Sequence, residues 1–180
     1  MTTPAPTPAE KTLQRVLTVS RFNGWSVVVI ASFGILLTLV LGDLLGTFIG
    51  GLAVLSGVME VRGNRRLRQC DPAGMKWLVR SQLFLLGVIL AYCASRLGSF
   101  DAETAMASLT PDMEAVLKES GLERGDILPL VRMAFYATYL SVAGVCLVYQ
   151  GGMAMYYRSR TRLVTEALTT PPVPPNYSVL

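Results

Sequence analysis

Five charged residues stand inside or at the ends of apolar segments: Asp43, Glu60, Arg80, Arg96 and Arg132. In a medium of low dielectric such groups pair, relay ions or protons, or set helix register, because a single buried charge is costly. Their positions suggest two depth-matched groups, Asp43 with Arg96 or Arg132, and Glu60 with Arg80. A second pattern joins Arg132, Tyr136, Tyr139, Ala143, Cys146, Gln150, Met153 and Tyr157, which alternate at spacings of four and three. That spacing places them on one helical face. Arg132, Tyr136, Tyr139 and Gln150 are therefore the candidate lining of a polar path, or the polar side of a packed interior. A third pattern, Asp43, Gly46, Gly50, Ala53, Gly57 and Glu60, alternates three and four. Its small members Gly46, Gly50, Ala53 and Gly57 form a stripe that lets another helix approach closely.

The residues needed for common enzyme chemistry are missing from these patterns. The chain has no histidine, which removes the commonest general base and the commonest metal ligand. Its three cysteines, Cys70, Cys93 and Cys146, form no paired metal motif, and no P-loop or nucleophile elbow is present. The carboxylates of residues 98–127 lack the spacing of a calcium loop. We therefore assign no catalytic, cofactor-binding or metal-binding residue and expect no enzymatic activity.

The elements that must position these residues are four uncharged runs, 22–42, 44–59, 81–95 and 133–157. Composition agrees, at 52% hydrophobic and 16% charged. Lipid admits only backbones whose hydrogen bonds are satisfied internally, so the runs predict transmembrane helices over about 22–42, 44–62, 77–97 and 127–157. The expected fold class is all-α, a four-helix transmembrane bundle. Residues 11–19 read as a short helix with Leu13, Val16 and Leu17 on the membrane surface. Basic residues lie before the first run, between the second and third, and after the fourth. An even number of crossings puts these segments on one side, and the positive-inside rule makes that side cytoplasmic, N-in and C-in. Trp25, Trp77, Tyr156 and Tyr157 would then anchor the same interface.

Between the third and fourth runs lies an acidic segment, 98–127. In it Thr110-Pro111-Asp112 opens a short amphipathic helix near 111–120 that Gly121 can stop. Residues 1–10 read as a proline-spaced disordered tail, 11–162 as one four-span membrane domain, and 163–180 as a proline-rich cytoplasmic tail. That last tail carries Pro174-Pro175-Asn176-Tyr177 and a terminal Ser178-Val179-Leu180, both short patterns of peptide recognition. The topology resembles that of tetraspan proteins, but the cysteines that staple their large loop are missing here. The reading implies a multi-pass protein of the inner or plasma membrane. Its partners would be the lipid bilayer and either another membrane protein or itself, and not nucleic acid. The basic residues cluster where topology places them, so the net charge of +4 needs no polyanion to explain it.

Overall fold

The computed structural model describes residues 7–102, 110–119, 121 and 124–169. The first six residues, most of the acidic segment before Thr110 and the motifs after residue 169 lie outside them. Among the described residues the regular structure is helical: α1 (Pro8–Val40), α2 (Leu44–Arg68), α3 (Ala73–Gly98), α4 (Pro111–Glu119) and α5 (Arg124–Thr169). Four of these, all but α4, are long and apolar enough to cross a membrane.

The helices extend past the apolar runs. A capping box starts α1: Thr7 Oγ1 accepts from Glu10 N at 3.2 Å, and Glu10 Oε2 accepts from Thr7 N at 2.7 Å. Pro8 occupies the first turn, where its missing N–H costs nothing. Residues 8–10 are therefore helix rather than tail, and 11–19 are not a separate surface helix. At ~1.5 Å per residue, α1 is about 50 Å long, against a hydrocarbon layer of about 30 Å. The same correction applies to α2, which continues to Arg68, and to α5, which runs to Thr169 through the start of the expected tail.

Two tight turns join the first three helices by the same device. After α1, Gly42 takes φ +71°, Gly42 N donates to Leu39 O and Asp43 N donates to Thr38 O. These bonds satisfy carbonyls that the helix end leaves open. Asp43 Oδ1 then caps α2 through Gly46 N at 3.0 Å, and the Thr38 and Thr47 hydroxyls meet at 3.0 Å. After α2, Cys70 occupies the equivalent left-handed position at φ 59°, with Asp71 N donating to Arg66 O. Glycine is the usual residue there, and a side chain at that φ is strained.

The chain divides into two compact units: residues up to Leu85 together with those from Gln150 onward, and Leu86–Tyr149. In the first unit the core contains Val16, Leu67, Met75, Leu78, Tyr157 and Val164, each at most 1% exposed. Leu13 and Leu17 pack against it. Val16 thus sits within a helix-to-helix core rather than on a membrane surface. Most of these residues lie beyond the apolar runs, where water makes burial of an aliphatic side chain worth about 1.5–3 kcal/mol. In the second unit Val88, Cys93 and Ile127 are buried, and the rings of Tyr92, Phe100, Phe135, Tyr136 and Tyr139 pack edge-on or tilted at 4.7–6.1 Å.

Candidate functional site: a carboxyl group held by neutral donors

The small-residue stripe of α2 faces α1. A Cβ on Gly50 would lie 2.6 Å from Ile35 Cγ1, and one on Gly46 would lie 2.7 Å from Thr38 Cγ2. At Gly57 the contact is with backbone, 2.9 Å from Gly24 O, and a Cβ on Gly24 would in turn meet Gly57 O at 3.3 Å. Ala53, on the same stripe, is half-buried. A second backbone approach joins α2 to α3, where a Cβ on Gly74 would come within 2.6 Å of Gly63 O. Neither Gly24 nor the Gly63–Gly74 contact belongs to the stripe read from the sequence.

This close approach places polar side chains opposite one another. Asn23 precedes Gly24, and its Nδ2 donates to Glu60 Oε2 at 2.7 Å. From α5, the Tyr157 hydroxyl donates to Glu60 Oε1 at 2.7 Å. Gln82 of α3, fully buried, stands beside the same carboxyl group. Glu60 itself is 1% exposed. One side chain of α2 thus gathers groups from α1, α3 and α5.

A turn further along, Asn64 Nδ2 donates to Ser20 Oγ and to Leu17 O, both at 2.7 Å, and Asn64 Oδ1 accepts from Arg68 Nε at 3.0 Å. Ser56 Oγ donates to Ser81 O at 2.8 Å, tying α2 to α3. The amide oxygens of Gln82 and Gln150 are buried and have no partner among the described residues.

One of the charge pairs expected from the sequence is replaced by neutral partners. The Glu60–Arg80 pair is not made: Asn23 and Tyr157 hold the carboxyl group, and Arg80 is exposed. The reason is geometric, since the Gly24–Gly57 contact sets Asn23 of α1 directly against that face of α2. Asp43 serves as the cap of α2. In the second unit, Arg96 lies 5.3 Å from the Tyr92 ring, and its Nε donates to that hydroxyl at 3.3 Å. Arg132 lies 5.8 Å from the rings of both Phe100 and Tyr136. Such cation–ring contacts contribute ~0.5–1 kcal/mol at exposed sites. Tyr136 and Tyr139 share this aromatic cluster, whereas Gln150 belongs to the first unit and is buried there.

Asn23, Ser20, Asn64 and Tyr157 were not recognised as partners from sequence. A signal existed: Ser20 and Asn23 are three apart, Glu60 and Asn64 are four apart, so each pair shares a helical face. Chemically, the arrangement holds a carboxyl group by directed hydrogen bonds and joins four helices through it. No family model, curated protein or solved structure matches the chain.

Proposed function

We propose that the chain is a multi-pass protein of the inner or plasma membrane that works by association, as an accessory or scaffold subunit or as an oligomer of itself. Both termini lie in the cytoplasm in this reading, and α4 rests as a short amphipathic helix on the opposite side. The observation that carries it is α5: none of the most apolar window of this candidate span is buried within the chain. Lipid provides no hydrophobic drive between helices, so association there relies on packing and polar contacts. An apolar stretch with no buried residue, on a helix that also carries the exposed Arg132, offers both to a partner helix. The Glu60 cluster supports the same reading, because its donors close on one carboxyl group and hold register rather than a substrate.

The test is the mass of the particle in lipid nanodiscs, with labelling of Cys146 and of a Gln150→Cys variant by a water-soluble maleimide. A stoichiometric oligomer or a copurifying membrane partner, with both thiols sealed, is the expected result. A monomer that copurifies with nothing would overturn the proposal. A second reading, a small transporter or channel with a polar path along α5, is favoured by the unpartnered amide oxygens of Gln82 and Gln150. Ready labelling at position 150 would select it.

A further inference from the structure

We infer that the groove between α1 and α2 at their basic ends is a binding site for one anionic phospholipid. The groove has a volume of about 610 Å³. Its apolar wall includes Trp25 and Val28 of α1 and Val58 of α2, and its other end is lined by Arg62, Arg65 and Arg66. Val58, Arg62 and Arg65 are spaced four and three, so one face of α2 changes from aliphatic to cationic within a turn or two.

The charge of these arginines is only partly compensated. Asp71 is the acid paired here, with Arg66 at 3.4 Å. Arg62 and Arg66 lie 6.0 and 5.5 Å from the Trp77 ring, which steadies them without removing charge. Arg65 is exposed. Three guanidinium groups against one carboxylate leave a surplus of two positive charges beside an apolar wall.

That combination selects the ligand class. Guanidinium groups bind phosphate through directed, charge-assisted hydrogen bonds. A free phosphate would satisfy the arginines and leave the wall of Trp25, Val28 and Val58 unused. A zwitterionic lipid would match the wall but bring its own cation towards the arginines. A phospholipid with net negative charge matches both ends, and basic clusters at the ends of membrane helices have this preference.

Native mass spectrometry of the full chain in detergent tests the site, with phosphatidylglycerol, phosphatidylcholine and inorganic phosphate offered in separate arms. The expected result is one retained phosphatidylglycerol, at least tenfold less phosphatidylcholine and no retained phosphate. Arg65→Gln should weaken phosphatidylglycerol retention about fivefold, the effect of one cation near a lipid surface. Arg158→Gln removes the same charge from an exposed position outside the groove and should leave retention unchanged. If Arg65→Gln lowers the melting temperature, Arg62→Gln serves as the second variant with the same expectation. Equal retention of the two lipids, phosphate binding as tight as lipid, or equal losses in Arg158→Gln and the groove variants would overturn the inference.

Discussion

In the first unit Val16, Leu67, Met75, Leu78, Tyr157 and Val164 close a core from four helices. Every buried polar side chain of the described residues, from Thr12 to Gln150, also lies in that unit. In the second unit the buried apolar residues are Val88, Cys93 and Ile127, and aromatic rings pack beside them edge-on or tilted. The difference follows from where each unit gains from burial. Beyond the apolar runs, water drives aliphatic side chains together, and the helix contacts this core fixes also bury polar groups within the runs, such as Asn23, Ser56 and Gln82. Within the runs, Met133, Leu140, Val145 and Val148 can remain on the surface at no cost in lipid.

The contrast can be broken most forcefully at Glu60. Glu60→Leu strands the Asn23 amide and the Tyr157 hydroxyl, and each buried orphan costs ~1–3 kcal/mol, so a loss of about 3–4 kcal/mol is expected. Glu60→Gln keeps an acceptor and should lose about 1 kcal/mol; unfolding in mixed detergent measures both. If Glu60→Leu unfolds like the unsubstituted chain, the carboxyl group does not hold the first unit together. Next comes Gly74→Ala, whose methyl would sit 2.6 Å from a backbone oxygen and force α2 and α3 apart. A cost of about 2–3 kcal/mol is expected from such overpacking, read in the same unfolding assay.

The two turns sharpen the comparison further. Gly42→Ala adds a methyl into open space at φ +71°, so its cost of about 1 kcal/mol is purely conformational. Cys70→Gly runs the other way and should raise stability by about 0.5–1 kcal/mol, since it relieves a left-handed residue with a side chain. A Cys70→Gly chain that unfolds earlier would show that the thiol has a role beyond the turn. The smallest effect is expected at Val145, 68% exposed in the second unit: Val145→Ala should change monomer unfolding by less than about 0.5 kcal/mol. A shift in particle mass with unchanged unfolding would place a partner on that face.

Apolar runs bounded by charge were enough to locate four helices that can cross a membrane, because run length and charge exclusion are local properties. The glycine stripe of α2 was legible for the same reason, as a periodicity within one helix. Helix ends were not legible, since Val16, Leu67, Met75 and Val164 lie in short apolar patches between charged residues and gain meaning only when four helices meet. The partners of Glu60 were misread because opposite charge was taken as the guide, whereas the Gly24–Gly57 approach decides which side chains arrive. Cys70 carried no signal at all, as cysteine is not a turn residue by type.

The turn at Leu41–Asp43 bears on how the chain enters a bilayer. Its backbone groups are answered by Leu37, Leu39 and Thr38, so α1 and α2 can move as one prefolded hairpin without exposing loose amides to hydrocarbon. The one formal charge at the tip is Asp43, whose passage through the middle of the layer costs about 2.5–3.5 kcal/mol on insertion scales. The apolar surface of two spans outweighs that amount many times over. For a pair entering a bilayer together, the one charge that the turn itself would have to carry across is this carboxylate.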